Sequence, residues 1–171
     1  MISLEKNIIH VLNIMGKYEN ASQRTPRNAS TDFKNGDVYV AESELLRGIS
    51  TTNIEYGLFS NRTYKKGDVI QEYKGNILTD NEAEEKKRYR KYMFDVKHKG
   101  RVVHVIDAAN KKDSSALRYI NACLTPTEKE LNTKFKQYKL KIYLVAVKDI
   151  KKDTELLAYY GEDTNGVLEQ K

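Results

Sequence analysis

The chain is poor in the residues that build covalently stapled or metal-clamped sites. Its 171 residues include one cysteine, Cys123. A single cysteine excludes a disulfide within the chain and a cysteine-rich zinc cluster. The three histidines, His10, His98 and His104, show no ligand spacing with it, so each reads as structural or surface. No apolar run approaches the roughly 18 to 20 residues that a bilayer crossing needs. The opening stretch, MISLEKNIIHVLNIMGKYEN, is broken by Glu5, Lys6, Asn7 and His10 and lacks the apolar core of a secretory signal. Sequons beginning at Asn20, Asn28 and Asn61 then read as coincidental. There is no internal repeat.

Hydrophobic residues make up 39% of the chain and charged residues 32%, a balance that suits a globular domain with a solvated surface. The length favours one domain plus an extension. Leu4, Ile8, Ile9, Val11, Leu12 and Met15 lie on one face of a helix over residues 3 to 18, with Ser3 at its start and Gly16 at its stop. Residues 19 to 36 are polar, contain Pro26 and Gly36, and read as a linker. The net charge of +6 is compatible with nucleic acid or an anionic surface. Along the sequence, however, the charges are mixed. DNEAEEKKRYRKY runs from acid to base, which suits a solvated helix with Asp80 as its N-cap.

Beyond residue 36 the pattern changes to short strands. DVYVAE, YGLFS and the centre of KKGDVIQEYKG read as strands, and YMFDVKHKGRVVHVIDAA as two strands turning near Lys99-Gly100. SSALRYINAC mixes helix and strand character, and PTEKELNTKF reads as an exposed connection. KLKIYLVAVKDI is the strongest strand, and KKDTELLAYYGE is a turn and a final strand. The fold class expected is mostly β with short helices (α+β).

The order of these pieces resembles the SET domain of protein lysine methyltransferases, most nearly the PR/SET branch. The resemblance is carried by Arg118 to Asn121, Asn132, Gln137-Tyr138, Ile142-Tyr143 and Glu155 to Gly161, and spans about residues 38 to 163. It implies small sheets with a C-terminal pseudoknot and a catalytic domain over 37–163, preceded by the helix and linker over 1–36 and followed by a short tail over 164–171. It also implies a reaction: a methyl group passes from the sulfonium of S-adenosylmethionine to a neutral lysine amine, with no metal. Such a site works by orientation, an aromatic channel and oxygens around the methyl group.

The same resemblance assigns roles. Tyr160 becomes the catalytic phenol, and Tyr92 lines the lysine channel beside it. Asn121 holds the amino-acid end of the methyl donor and the backbone of Ala122 its adenine, and Arg118 is also among the residues that bind it. The backbone of Glu55, Tyr56 and Gly57 cradles the donor. Tyr143, Leu144 and Ala158 border the channel, where strand alternation lets only one of the first two face in. Ala158 replaces a bulky aromatic common in the family, which implies di- or trimethylation. Glu55 stands where the family usually has glycine, and a Cβ restricts positive φ there. Histone tails are the implied substrate, with nucleosome contact, a homodimer through the N-terminal helix, and a nuclear location as further expectations. The wealth of Lys, Asn, Ile and Tyr points to an AT-rich genome, microbial or viral, in which case the nucleus is a host's. The altered loop and the absence of an aromatic lid after Gly161 keep open an alternative, a catalytically inactive PR/SET-like interaction module.

Overall fold

The computed structural model describes residues 36–43, 45–46, 55–86, 92–122 and 131–158. The expected N-terminal helix, most of the linker, Cys123, Tyr160 and the C-terminal tail lie outside the described residues.

Among the described residues, ten short strands form three small sheets. β1 (Val38–Glu42) and β2 (Tyr56–Ser60) make an antiparallel pair. Both faces of this pair are covered. Val38, Val40 and Leu58 join the main core, while Tyr39, Ala41 and Phe59 form a second cluster in which Tyr39 stacks on Phe59 at 5.6 Å. The second sheet is five-stranded, in the order β3-β9-β8-β10-β7, from β3 (Val69–Tyr73), β7 (Asn121–Ala122), β8 (Thr133–Tyr138), β9 (Lys141–Ala146) and β10 (Leu157–Ala158). The third has the order β4-β6-β5, from β4 (Asn76–Leu78), β5 (Met93–His98) and β6 (Arg101–Asp107). The fold is mostly β, as expected.

Sheets two and three are joined by three aromatic rings. Tyr73 of β3, Phe94 of β5 and Phe135 of β8 meet with centroids 4.5 to 5.7 Å apart, in edge-on and tilted contacts. Those are the arrangements that ring quadrupoles favour. The β5–β6 turn falls at Lys99-Gly100, where both residues have positive φ, the geometry of a tight hairpin turn matched to strand twist.

Several local expectations are corrected. The helix α1 (Asp80–Glu85) is capped by Thr79, not Asp80. Thr79 Oγ1 accepts from the Glu82 amide at 3.3 Å while the Glu82 carboxylate accepts from the Thr79 amide at 2.7 Å, a reciprocal capping box. The stretch read as an exposed connection contains the start of β8, and Asn132 and Thr133 are buried. The segment of mixed character resolves into a 3-10 turn, η2 (Ala116–Tyr119), followed by β7. A shorter 3-10 turn, η1 (Lys111–Asp113), precedes it. The edge strand β4, too short to carry a periodic signal, was not expected.

The feature that organises the molecule is β10. It lies between β7 and β8, which are consecutive in the chain, and runs parallel to both. Just before it, Glu155 bridges Phe59 of β2, and the Leu156 amide donates to the Leu58 carbonyl at 2.7 Å. Residues 155 to 158 are therefore held by β2, β7 and β8 at once. This places the segment ending in Asn121-Ala122 beside the C-terminal strand, with Leu157 opposite Asn121 and Ala158 opposite Ala122.

Candidate functional site

The crossing is built from buried polar groups, and these must be satisfied within the protein. Asn132 clamps the C-terminal segment. Its side chain donates to the Glu155 carbonyl at 2.7 Å and accepts from the Leu157 amide at 2.8 Å, completing backbone bonds that the two-residue strand cannot make alone. Thr133 Oγ1 donates to the Leu157 carbonyl at 2.9 Å.

With its backbone fixed, Glu155 turns its carboxylate into the interior at 8% exposure. Oε1 accepts from Ser43 Oγ at 2.8 Å and from Asn121 Nδ2 at 3.0 Å. The same Asn121 nitrogen donates to the Tyr56 carbonyl at 3.2 Å. The Ser43 amide donates to the Glu55 carbonyl at 2.9 Å. Ser43, Glu55, Tyr56, Asn121 and Glu155 thus close a ring of hydrogen bonds around Gly57. Two acceptors engage the nitrogen end of the Asn121 amide, which fixes the amide's orientation. Its Oδ1 remains as an acceptor, and among the described residues nothing donates to it.

Gly57 is required by space. A Cβ there would meet Glu155 Cδ at 2.9 Å and Asn121 Nδ2 at 3.2 Å, with Glu155 Oε1 closer still. Glu55, which stands where the family usually has glycine, has an exposed side chain.

Arg118, expected among the residues that bind the methyl donor, is engaged by the protein. Nε donates to the Ala108 carbonyl at 2.9 Å and Nη2 to the Ala109 carbonyl at 3.0 Å. Its guanidinium lies 4.7 Å from the Tyr92 ring and 5.0 Å from the Tyr119 ring. This is a brace between η2 and the end of β6, strengthened by cation–π contact. Tyr92 is partly buried against the main core, and its carbonyl accepts from Tyr73 Oη at 2.8 Å and from the Ala108 amide at 3.0 Å. Tyr119 also meets Tyr56 edge-on at 6.3 Å. The aromatic residues beside the crossing are therefore linked through one arginine.

The channel candidates divide between two faces of the sheet. Leu144 and Ala158 are fully buried in the main core cluster, against which Tyr92 packs. Tyr143 alternates to the other face, opposite Glu72 and Lys136. The structure brings Asn121, Ala122, the 55–57 backbone, Leu144, Ala158 and Tyr92 to the region around β10. Tyr143 does not share the face of Leu144, and Tyr160 lies outside the described residues.

Sequence reasoning missed Ser43 and the inward role of Glu155. A carboxylate opening an otherwise apolar ELLA run was the available signal for Glu155. For Ser43, at the end of a strand, none was available. Among the described residues there is no cluster of His, Cys, Asp and Glu able to hold a metal, and no helix long and apolar enough to cross a membrane.

The same architecture occurs in known proteins. The methyltransferase domain of human PR domain-containing protein 2 superposes with a TM-score of 0.54 at 22% identity, covering 76% of this chain and 81% of that one. The Chaetomium thermophilum polycomb repressive complex 2 matches with a TM-score of 0.58 at 23% identity, over 81% of this chain but 17% of that one. A second structure of that complex, with H3K27me3 and H3K27M, matches at 0.56 and 24%, over 75% of this chain and 15% of that one. The likeness to these structures is one of fold. In sequence, the SET domain profile matches residues 55–161, from the loop before β2 through the end of ELLAYYG. That match takes in both halves of the β7–β10 crossing, and the chain belongs to the SET-domain family.

Proposed function

We propose that the chain is an S-adenosylmethionine-dependent protein lysine N-methyltransferase acting on histone tails. The observation that carries this reading is the fixed amide of Asn121. The Glu155 carboxylate and the carbonyls of Glu55 and Tyr56 belong to the hydrogen-bonded ring around Gly57, and two of them hold Asn121 Nδ2 so that Oδ1 is the amide's remaining acceptor. Acceptors and a carboxylate grouped in this way favour a cationic ligand. S-adenosylmethionine carries both an ammonium and a sulfonium, so these residues fit it. When bound, it supplies an electrophilic methyl group.

The protein's own part is orientation. Asn121 Oδ1 and the 55–57 backbone hold the amino-acid end, and Ala122 in β7 offers its backbone to the base. Tyr92 and the apolar pair Leu144 and Ala158 border the route for the lysine side chain and keep water from it. Holding two reactants in line is worth orders of magnitude in rate without any protein nucleophile. Tyr160 is the phenol proposed to accept a weak C–H contact from the methyl group and to stabilise the sulfonium-side charge. Histones as substrate rest on likeness to histone methyltransferases at low identity, and the nucleus as location rests on that substrate.

Isothermal calorimetry with S-adenosylmethionine tests the reading. Saturable binding that is lost in Asn121→Ala supports it. A folded chain that takes up no methyl donor contradicts it and leaves the interaction-module reading in its place.

A further inference from the structure

Mixed along the sequence, the charges are sorted by the fold. The β5–β6 turn (97–101) reads KHKGR and the β8–β9 turn (136–141) reads KQYKLK, with no carboxylate in either. Gln137 joins them. Its side chain donates to the Lys97 carbonyl at 2.6 Å and the Lys139 carbonyl at 2.7 Å, and accepts from the Lys97 amide at 3.0 Å. Lys97, Lys99, Arg101, Lys136, Lys139 and Lys141 therefore share one pole of the molecule. The chain holds thirty Lys and Arg against twenty-four Asp and Glu. These two tips hold six of the thirty and none of the twenty-four, which leaves cations and acids equal in number over the rest of the chain.

Two further observations set this pole apart from an ordinary solvated surface. Lys99 and Lys139 adopt φ of 49° and 53°, a conformation that favours glycine or asparagine. Both turns thus carry a cation where local stability would choose another residue. Tyr138 and Leu140 at the same tip are 55% and 49% exposed, and Lys139 Nζ lies 5.7 Å over the Tyr138 ring. Across the tips, Glu72 neutralises Lys141 at 3.2 Å.

We infer that the joined hairpin tips are a docking surface for duplex DNA. A polyanion complements a pole with six cations, of which Glu72 neutralises one. A two-stranded β-ribbon fits the major groove of B-DNA, about 12 Å wide, whereas the deep, narrow major groove of RNA does not admit it. Tyr138 and Leu140 supply apolar contacts to sugars and base edges. The pole lies at the far end of β8 from the β10 crossing. Five residue steps of about 3.3 Å put roughly 17 Å between them, so bound DNA leaves the Asn121 site open. The inference stands apart from the methyl-transfer reading, and its test needs no methyl donor.

The test is fluorescence anisotropy of a short labelled DNA duplex with the full chain, titrated at several salt concentrations. Lys99→Asn/Lys139→Asn removes two charges and places at each turn a residue that tolerates positive φ, so the variant keeps its fold, as thermal unfolding would verify. Lys151→Gln/Lys152→Gln removes the same net charge from the turn before β10. The pole variant is expected to bind about ten-fold or more weakly and to flatten the slope of log K against log salt by about 2, one for each phosphate that is no longer neutralised. The control variant is expected to bind as the wild type does. Equal weakening in both variants, salt-independent binding, or tighter binding to duplex RNA or to phosphatidylserine vesicles overturns the proposal.

Discussion

Asn121 and Glu155, 34 residues apart, meet at 3.0 Å through the amide nitrogen of one and the carboxylate of the other. This hydrogen bond joins β7 to the C-terminal segment and at the same time decides which end of the amide remains for a ligand. In the proposed function, one side chain thus serves both folding and binding. Asn121→Ala is expected to abolish binding of the methyl donor and to cost about 1 to 3 kcal/mol of stability, because Glu155 and the Tyr56 carbonyl are each deprived of a partner. Glu155→Gln keeps an acceptor oxygen for Ser43 and Asn121 but removes the charge, so it should fold and bind the donor more weakly. Calorimetry and denaturant unfolding on the two variants check both statements. Full donor affinity in a folded Asn121→Ala protein contradicts the assignment.

Gly57→Ala is expected to damage the same site from the other side. Its Cβ would drive the Glu155 carboxylate away from Ser43 and Asn121. Affinity for the methyl donor should fall at least ten-fold, about 1.4 kcal/mol, and stability should fall alongside. Wild-type affinity in this variant would show that the ring of hydrogen bonds does not shape the donor site.

The strands were legible in the sequence because alternation and turn residues are local signals. YGLFS and the Lys99-Gly100 turn lie where patterning placed them. The β10 strand is two residues long and owes its position to Asn132, Thr133 and β2, none of which periodicity links to it. The start of β8 was hidden for the same reason: Asn132 and Thr133 look like a polar loop, yet they are buried because their side chains bond the backbone of the crossing strand. At the site, family resemblance pointed to Asn121 and the 55–57 backbone. It gave Arg118 a ligand but not its bonds to the Ala108 and Ala109 carbonyls, which only the fold brings within reach. The clustering of positive charge at two hairpin tips exists only in three dimensions.

Alkaline stability should reflect buried phenols. Burial pushes Tyr64 up to about 12 and raises Tyr73 and Tyr39 further, with the Asp153 hydrogen bond adding to the effect at Tyr39. A raised phenol is neutral in the folded state. Its contribution is therefore fully present below the unfolded value near 10 and is lost as pH rises through about 12 and beyond. Absorbance titration at the tyrosinate band is expected to show a late group of tyrosines that ionise together with unfolding. Reversible titration of every tyrosine near pH 10 in the folded protein would contradict this.

Product specificity should follow from Ala158. It is fully buried in the cluster that holds Leu144, so no phenol stands there to anchor a water against the lysine amine. Under excess methyl donor, the wild type is expected to proceed to di- and trimethyl-lysine. Ala158→Tyr should favour monomethyl-lysine, at about 1 to 3 kcal/mol of overpacking. A wild-type time course that stops at monomethyl-lysine would contradict the assignment.

The measurement that bears most directly on the central claim is methyl transfer itself. Whole histones are incubated with the full chain and S-adenosylmethionine, and lysine residues are read by mass spectrometry, with Tyr160→Phe in parallel. Methylated lysine is expected with the wild type. In Tyr160→Phe the rate should be lower by about ten- to a hundred-fold, somewhat less than the effect of removing a full oxyanion-hole donor, with donor affinity retained. Binding of the methyl donor without transfer to any histone lysine, or full turnover in Tyr160→Phe, would contradict the assignment of this chain as a histone lysine methyltransferase.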